Sequence, residues 1–293
     1  MATVYLVDAL PYVFRAYFSI PASMVDGGGN PVGAVFGYAG FLHRLIEHDK
    51  PTHLAVAFDE SLNSSFRNEF YAPYKAQREL PPKELEAQLT NCQRVTRALG
   101  APVFVDKRYE ADDIIGTLAK RLVKQGHTIV VVTADKDLCQ LVSDRVTVYD
   151  LAKEVRLGPP EVFTKLGVRP EQVADFLGLA GDAVDNIPGI KGIGPKTATA
   201  LLAVFPSLEA LYERLDEVAA LPIRGAKTLA PKLAAGREMA FLSRRLATVA
   251  DDAPVSAGLD QLKYGGPDYE QVDTVYSELG FEGMRRKIMS SVR

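Results

Sequence analysis

The sequence predicts a three-layer α/β fold with a mostly parallel sheet, followed by a mainly helical second part. Three short apolar runs each end in an aspartate, at 3–8, 53–59 and 128–135. Apolar runs of this length suit strands that are buried on both faces of a parallel sheet. Helical patterns lie between these runs, at 34–48, 84–99 and 110–124. Such alternation of strands and helices is typical of α/β proteins.

The aspartates that end the three runs are Asp8, Asp59 and Asp135. Ligands of parallel α/β sheets bind beyond the carboxyl ends of the strands. One such aspartate would mean little, because aspartate is a common turn residue. Three of them are expected to direct three carboxylates to the same edge of the sheet.

The helix predicted from 110 begins with three more carboxylates, those of Glu110, Asp112 and Asp113. Like charges this close repel each other, and the helix dipole offsets only about 0.3–1 kcal/mol per carboxylate. A divalent cation is the usual partner of such a group. The alternative is a solvated acidic first turn, which the three strand-end aspartates disfavour.

A second acidic pair, Asp135 and Asp137, lies where the third run passes into a helix. Two aspartates this close in a turn can both face the strand ends, whereas in the middle of a helix they would diverge. A β-hairpin is predicted at 146–157, and the composition changes at 158–160. The predicted domains are an α/β core at 1–158 and a helical domain at 159–293.

The segment 62–83 mixes aromatic and basic residues, as in Phe66-Arg67 and Tyr74-Lys75-Ala76-Gln77-Arg78. Cations for phosphates and flat rings for bases are what a single-stranded nucleic acid needs. The alternative is a basic surface helix whose aromatic rings pack inward. We expect the segment to be an excursion from the core.

The most specific pattern lies at 179–198, where Gly189, Gly192 and Gly194 permit a tight turn between two helices. Backbone N–H groups exposed at such a turn bind phosphates without reading base sequence. Lys191 and Lys196 add positive charge. This is the helix–hairpin–helix pattern, placed at about 173–205, and it predicts non-specific binding of duplex DNA.

Asp182 and Asp185 precede this turn, from where they can reach the strand-end aspartates. The predicted acidic cluster has nine members: Asp8, Asp59, Glu110, Asp112, Asp113, Asp135, Asp137, Asp182 and Asp185. The formal net charge of the chain is −3, so the residues outside these nine carry +6. Net charge therefore does not exclude a nucleic-acid partner.

The rest of the composition fits a cytoplasmic protein. Cys92 and Cys139 are the two cysteines, which makes a disulfide framework unexpected. The first residues read as a strand rather than as a signal peptide. No apolar run approaches the roughly 20 residues that span a bilayer, so no membrane association is expected.

Together these motifs resemble the 5′→3′ exonuclease domain at the N-terminus of bacterial DNA polymerase I, the prokaryotic branch of the flap endonucleases. The resemblance rests on Tyr109-Glu110-Ala111-Asp112-Asp113, Thr133-Ala134-Asp135-Lys136-Asp137, Phe58-Asp59, Phe66-Arg67, Tyr74-Lys75-Ala76-Gln77-Arg78 and the stretch Gly181–Gly194. It covers nearly the whole chain. It implies a resolvase-like (PIN-like) sheet, a helical arch at about 62–98 and a C-terminal helix–hairpin–helix domain.

The resemblance also implies an activity, which is the hydrolysis of 5′ flaps and of 5′ ends in branched or nicked DNA during replication and repair. It implies two Mg²⁺ or Mn²⁺ ions, one held by Asp8, Asp59, Glu110 and Asp112, the other by the five remaining carboxylates. The residues themselves leave this division open. The resemblance further implies a K⁺ ion at the hairpin, a monomer, and a DNA polymerase or ligase as protein partner.

Roles of individual residues follow from the same resemblance. Lys75, Arg78 and Arg15 would act on the transferring phosphate as catalytic cations. The residues implied in DNA binding are Arg67, Tyr74, Gly189, Lys191, Gly192, Gly194, Lys196 and Thr197. For Arg67 and Arg15 the resemblance leaves open whether they position a phosphate or a carboxylate. Three alternatives stay open: a DNA-binding homologue without catalysis, a ribonuclease of the related single-domain acidic-site class, and a structural clamp that recruits a polymerase.

Overall fold

The computed structural model describes residues 1–60, 65–78, 81–223 and 225–290. Its described part contains one six-stranded sheet. The strands are β1 (Thr3–Asp8), β2 (His53–Ala57), β3 (Val103–Phe104), β4 (Thr128–Val132), β5 (Val146–Asp150) and β6 (Val155–Leu157). The predicted strands at 3–8 and 128–133 and the predicted hairpin at 146–157 are confirmed. The short β3 has too few residues to give a periodic signal and was not predicted.

The strand order is β3-β2-β1-β4-β5-β6, and all pairs are parallel except the β5–β6 hairpin. Strand β1 lies between β2 and β4, so the three strands that end in or are followed by the predicted aspartates are neighbours. It pairs Asp8 with Ala57 of β2 on one side and Val7 with Val132 of β4 on the other. This register brings the carboxyl ends of three adjacent strands to one edge.

Alternate residues of the strands pack into two different hydrophobic clusters. In β1, Val4 and Leu6 belong to one cluster, whereas Tyr5 and Val7 belong to the other. Because side chains alternate between the faces of a strand, both faces of the sheet are covered. The predicted three-layer α/β architecture is therefore confirmed.

Five helices belong to the first part of the chain. They are α1 (Leu10–Ser19), α2 (Gly33–Asp49), α3 (Arg67–Phe70), α4 (Lys83–Ala98) and α5 (Ala111–Lys124). The predicted helices at 34–48, 84–99 and 110–124 correspond to α2, α4 and α5.

The second part is helical, as predicted. Its helices are α6 (Pro159–Leu166), α7 (Val173–Ala180), α8 (Pro195–Val204), α9 (Leu208–Glu213), α10 (Ala226–Ala235), α11 (Arg237–Ala247), α12 (Tyr269–Glu278) and α13 (Glu282–Met289). Short 3₁₀ turns lie at Asp137–Leu141, Pro170–Gln172, Leu215–Ala220 and Leu259–Leu262. No described helix is long and apolar enough to cross a membrane.

Helices α12 and α13 return to the α/β core. Val272, Tyr276 and Ile288 are buried in the same cluster as residues of α2 and α4. The end of the chain thus packs on the opposite face of the sheet from α5. The domain boundary predicted at 158–159 stays a prediction.

The predicted arch at 62–98 needs a correction. Within α4, Leu85, Cys92 and Val95 are buried against the core, so the part of the segment from 83 onward is not an excursion. Residues 62–64 and 79–80 of the predicted arch lie outside the described residues.

The loop after α4 crosses the loop before α12 with almost no space between the two backbones. Gly100 has a φ of +79°, and a Cβ atom at this position would lie 1.9 Å from the carbonyl oxygen of Gly266. Gly126 has a similar φ of +87° but nothing within 4 Å of a Cβ. The two glycines therefore share backbone strain and differ only in the clash.

We expect Gly126→Ala to lower the free energy of unfolding by about 1–2 kcal/mol, the cost of a left-handed conformation in a residue with a Cβ. Gly100→Ala should cost at least about 2 kcal/mol more, because the backbones must separate. Urea unfolding of the two variants measures the difference. An equal decrease in the free energy of unfolding for both variants would show that the two loops separate without an energetic cost.

Candidate metal centre and nucleic-acid interface

Two of the predicted carboxylates, those of Asp8 and Asp59, lie at the carboxyl ends of β1 and β2. Asp8 ends β1, and its Oδ2 accepts a hydrogen bond from Thr133 Oγ1 at 2.8 Å, just beyond β4. Asp59 follows β2, and its Oδ1 accepts a hydrogen bond from the N–H of Ala111 at 2.5 Å. The first bond ties the ends of β1 and β4 together, and the second ties the end of β2 to the start of α5.

The start of α5 brings Asp112 to the same edge. Its pKa is raised well above the usual value, first by burial and then by the negative charges of Asp8, Asp135 and Asp59. These charges act strongly only over short distances. Asp112 therefore faces the strand-end aspartates.

The turn after β4 carries Asp135 and Asp137. The N–H of Asp137 donates to Asp135 Oδ1 at 2.8 Å, and the N–H of Asp135 donates to Thr133 Oγ1 at 3.0 Å. Asp137 Oδ1 is buried and has no hydrogen-bond partner in the described part of the chain. A buried carboxylate oxygen without a donor is costly, which indicates that a positive partner belongs at this position.

The loop between α7 and α8 supplies Asp182 and Asp185. A backbone bridge between Asp182 and Ile187 closes the loop. Lys136 Nζ lies 2.6 Å from Asp182 Oδ2, and Lys75 Nζ lies 3.6 Å from Asp185 Oδ2. An open cleft of about 430 Å³ joins this loop to the turn after β4; its charged lining is Asp135, Asp137, Asp182, Asp185, Arg78, Lys136, Lys153 and Lys165.

Crowding of these carboxylates raises several of their pKa values. Burial and the charge of Asp59 raise the pKa of Asp8 to about 8, and burial and Glu110 raise that of Asp59 to about 6. Burial and Asp135 raise the pKa of Asp137 to about 7. The charge of Asp59 raises the pKa of Asp8, as does that of Asp135, and the charges of Asp135, Asp182 and Asp185 raise the pKa of Asp137. The carboxylates at the sheet edge and those of the α7–α8 loop therefore interact electrostatically.

Three cations compensate part of this charge. Lys75 contacts Glu110, Arg78 contacts Asp185, and Lys136 contacts Asp182. Burial lowers the pKa of Lys75, but the charges of Glu110, Asp185 and Asp59 together raise that pKa well above its usual value. Burial alone would raise the pKa of Asp182, yet the hydrogen bond and charge of Lys136 lower it.

The donor chemistry fits a divalent cation. Every candidate ligand is a carboxylate, the ligand that Mg²⁺ and Mn²⁺ prefer, and Asp137 Oδ1 lacks a partner among the described residues. As they stand, however, no three described Asp, Glu, His or Cys side chains are arranged to hold an ion. Lysine and arginine groups contact oxygens of Glu110, Asp182 and Asp185, so an ion held by these three carboxylates would compete with Lys75, Arg78 and Lys136.

Asp113 is corrected as a metal ligand. Its side chain is 0% exposed. Its Oδ1 accepts hydrogen bonds from Arg67 Nη2 and the N–H of Ala250, and its Oδ2 accepts from Arg67 Nη1 and the N–H of Glu110. With each oxygen accepting two donors inside the protein, Asp113 cannot reach an ion in the cleft.

Arg67 and Tyr74 are corrected as DNA-binding residues. Arg67 is 3% exposed and bound to carboxylates and backbone carbonyls. Tyr74 is 4% exposed, and its hydroxyl donates to Glu110 at 3.1 Å and to Asp185 at 3.3 Å. Burial prevents both side chains from meeting a phosphate or a base. The inward packing of aromatic side chains, the alternative for this segment, holds for Tyr74.

Arg15 is corrected as a member of the catalytic site. Its side chain lines a separate cleft of about 320 Å³ between α1 and α2, together with Tyr12, Phe41 and Arg44. Within the described ranges, no ion pair joins Arg15 to a carboxylate of the cluster. The resemblance implied a role on a phosphate or a carboxylate, whereas the structure places Arg15 in this separate cleft.

The predicted hairpin lies between α7 and α8. Lys191, Gly192, Gly194 and Lys196 are exposed, and Thr197 is half-buried at the start of α8. Gly194 precedes Pro195, the first residue of α8, as predicted. The N–H groups of Gly192, Gly194 and Lys196 have no backbone acceptor in the part of the chain that the structure describes, so they are free to bind a phosphate.

Gly189 is the exception in the hairpin. Its N–H donates to Ser243 Oγ at 3.0 Å, and a Cβ on Gly189 would lie 2.3 Å from the nitrogen of Gly181. This glycine therefore closes the turn against α11 and offers no N–H to DNA. The sequence pattern could not distinguish it from Gly192 and Gly194.

Several residues around the cleft were not singled out from the sequence. Thr133 and Lys136 lie inside the motif of Asp135 and Asp137, so that motif could have indicated them. Gln77 Nε2 donates to the carbonyl of Val184 at 3.1 Å, and Asn186 Nδ2 donates to that of Pro73 at 2.7 Å. These two bonds connect residues distant in the sequence and left no local signal.

Two family models match the chain. Residues 3–167 match the 5′-3′ exonuclease N-terminal resolvase-like domain, and residues 168–270 match the 5′-3′ exonuclease C-terminal SAM fold. DNA polymerase I of Pseudomonas aeruginosa is 42% identical over 282 residues, which are 96% of this chain and 31% of the polymerase. The chain thus spans about a third of the length of this relative.

Solved structures share the fold. T5 5′-exonuclease with bound zinc has a TM-score of 0.67 at 20% identity, with 98% of each chain covered. A complex of bacteriophage T5 flap endonuclease with DNA and metal ions has a TM-score of 0.65 at 20% identity, again with 98% of each chain covered. Both the resolvase-like sheet and the helical second part are included in this likeness.

The raised pKa values predict how Mg²⁺ should affect stability. A carboxyl whose pKa is raised by folding stabilises the fold below its unfolded pKa of about 4, and this contribution is lost as pH rises towards the folded value. For Asp59, Asp137 and Asp8 the folded values are about 6, 7 and 8. We expect Mg²⁺ to raise the Tm relative to EDTA by more at about pH 8 than at about pH 6. NaCl at matched ionic strength controls for screening, and an equal Mg²⁺ effect at both pH values would contradict the expectation.

Proposed function

The chain belongs to the 5′-3′ exonuclease family, and we propose that it hydrolyses DNA phosphodiesters at 5′ flaps and at the 5′ ends of branched or nicked duplexes. One observation carries the proposal. A cleft crowded with carboxylates lies directly beside a hairpin that exposes backbone N–H groups and two lysines. The first feature suits divalent metal ions, and the second suits the phosphates of a duplex.

We propose two Mg²⁺ or Mn²⁺ ions as cofactors. Divalent ions at such a site activate a water molecule and stabilise the charge on the leaving oxygen. The residues that would hold them are Asp8, Asp59, Glu110, Asp112, Asp135, Asp137, Asp182 and Asp185. Asp113 is left out because its oxygens are already taken by Arg67 and backbone N–H groups.

Lys75 and Arg78 would bind the scissile phosphate. In the structure they lie on Glu110 and Asp185, which are proposed metal ligands. With these carboxylates holding a metal ion, Lys75 and Arg78 would lose their ion-pair partners and would be available to the anionic substrate. Cations positioned this way stabilise the charge that develops on a transferring phosphate.

The hairpin would hold the duplex beside the cut. Lys191 and Lys196 are exposed, next to the free N–H groups of Gly192 and Gly194. Contacts of this kind do not depend on base sequence, which suits an enzyme that recognises the shape of a junction. We also propose that the hairpin carbonyls hold a K⁺ ion, as the resemblance implies.

The biological setting is proposed from the relatives. The matched relative is a DNA polymerase, so a polymerase that displaces a strand and a ligase that seals the nick are the proposed partners. We propose that the chain acts as a monomer, in the cytoplasm, where bacterial chromosomal DNA lies. Removal of displaced 5′ ends during replication and repair is the corresponding role.

The decisive experiment compares cleavage of 5′-flapped, nicked, blunt and single-stranded DNA, labelled at the 5′ end, in Mg²⁺ and in EDTA. We expect metal-dependent release of the flap. Asp135→Asn removes a proposed ligand and should lower turnover at least about a hundredfold. Asp144→Asn, an exposed aspartate in the turn before β5, is the matched control and should keep full activity.

The other outcomes identify the alternatives. Binding of flapped DNA without cleavage in Mg²⁺ or Mn²⁺ would indicate a homologue without catalysis or a clamp. Cleavage confined to RNA would indicate a ribonuclease. Full activity of the Asp135→Asn variant would contradict the metal assignment.

Lys191 tests the proposed duplex contact. Lys191→Ala should weaken binding of all duplex sequences about equally and reduce the slope of log affinity against log salt by about one, because one phosphate contact is lost. Lys124→Ala, at the far end of α5 from the cleft, is the control and should leave the slope unchanged. Binding is measured in EDTA at several salt concentrations. An unchanged slope for Lys191→Ala would place the duplex elsewhere.

A further inference from the structure

Arg67 is buried in the protein with every donor of its side chain in use. Nε donates to the carbonyl of Leu246, Nη1 to Glu110 Oε2 and Asp113 Oδ2, and Nη2 to Asp113 Oδ1 and the carbonyl of Thr248. These five bonds measure 2.7–2.8 Å. A guanidinium has five N–H donors in one rigid plane, so this side chain is fixed in a single orientation.

This arrangement holds one oxygen of Glu110 and leaves the other to the Lys75 ammonium. Oε2 accepts from Arg67 and from the Tyr74 hydroxyl, whereas Oε1 contacts the Lys75 ammonium. Glu110 is also the charged neighbour that most raises the pKa of Asp59. A carboxylate fixed through one oxygen presents its second oxygen at a defined position, which is what a metal site needs from the groups behind its ligands.

Asp113 serves this arrangement as the counterion of Arg67. The bidentate pair neutralises the guanidinium and orients its plane. Asp113 also accepts a hydrogen bond from the N–H of Ala250 at 2.8 Å. The pair therefore binds the segment that follows α11 on two sides, through Thr248 and Ala250.

The same segment leads to the hairpin. Helix α11 carries Ser243, which accepts the N–H of Gly189 at 3.0 Å, and it ends at Ala247, within the Arg67 contacts. The carbonyls bound by Arg67 thus belong to the helix that supports the hairpin. One guanidinium links a candidate metal ligand to the element proposed to hold the duplex.

We propose that Arg67 is a positioning residue that fixes Glu110 for a divalent metal ion. By binding the end of α11 as well, Arg67 also sets the distance between Glu110 and the hairpin. This inference rests on the proposed function. Arg67 touches neither substrate nor metal, and it acts through the carboxylate that it holds. An arginine at this position that bound DNA would instead have to be exposed, and its side chain is 3% exposed.

The test replaces Arg67 by lysine, which keeps the positive charge and removes the planar fork. Binding of Mn²⁺ to the DNA-free protein is followed by the electron paramagnetic resonance of free Mn²⁺. We expect Arg67→Lys to weaken Mn²⁺ binding by about 10–100-fold, the usual effect of a group that orients a metal ligand. DNA affinity in EDTA should change less than twofold by the same reasoning, since Arg67 makes no DNA contact.

The matched control is Arg244→Lys. Arg244 lies on α11, the helix whose C-terminal end Arg67 contacts, and it makes a forked contact to Asp175 and Glu209 away from the cleft. Its replacement tests the cost of losing a partly buried arginine fork in the same region and should leave Mn²⁺ binding unchanged. An Arg67→Lys protein that melts earlier but binds Mn²⁺ like the unmodified protein would overturn the proposal and leave Arg67 a purely structural role.

A milder variant decides the question if Arg67→Lys does not fold. Tyr74→Phe removes the second donor to Glu110 Oε2 with the loss of one oxygen atom. It should weaken Mn²⁺ binding by about 3–10-fold, less than the loss of the charged donor. Unchanged Mn²⁺ binding in that folded variant would overturn the proposal.

Failure of the proposed function gives a different result. If the unmodified protein binds Mn²⁺ but cleaves no DNA, the proposed reaction is wrong while the positioning role of Arg67 is still measured by Mn²⁺ binding. If the unmodified protein binds no Mn²⁺, both proposals fall together.

Discussion

Repulsion between carboxylates is the constraint on which the rest of the structure depends. Parallel strands end at one edge of the sheet, so their aspartates meet there whether or not the meeting is favourable. The helix α5 and the α7–α8 loop add further carboxylates to the same place. Burial first, and then the neighbouring negative charges, raise the pKa values of Asp8, Asp59 and Asp137. Above these pKa values, nearby positive charge is needed to offset the repulsion at this edge of the sheet.

The protein supplies that charge in two different ways. Arg67 is buried, saturated with hydrogen bonds and bound to backbone as well as to carboxylates, so it cannot leave without breaking the packing around α11. Arg78 and Lys136 reach the cleft from its rim, with side chains 35% and 47% exposed, and each can turn into solvent at little cost. The fixed cation therefore belongs to the framework, whereas the movable ones can give way to metal ions.

The sequence carried enough information for the framework and for the identity of most cleft residues. Strands β1 and β4 and the β5–β6 hairpin could be predicted because each is a continuous apolar run between turn residues. The sequence could not show that Asp112 faces the strand-end aspartates whereas Asp113 is bound to Arg67. Adjacent helix residues point about 100° apart, and only the three-dimensional position of Arg67 decides which one faces the cleft. Helix α4 was predicted as a helix, and only its assignment to the arch, which came from the resemblance, differs from its packing on the core.

The loops that carry the movable cations explain how the cleft and the hairpin are joined. Lys75 and Asn186 both have positive φ, +53° and +56°, a conformation that residues with a Cβ adopt at some cost. The N–H of Lys75 donates to the carbonyl of Asp185, and the Asn186 amide donates to the carbonyl of Pro73. These reciprocal bonds hold two strained residues against each other, so the backbone beside Lys75 is fixed by the loop that leads into the hairpin. The loop that leads into the hairpin and the backbone at Pro73 and Lys75 are therefore bound to each other, and the proposed duplex contact and the proposed phosphate-binding cations lie on connected parts of the backbone.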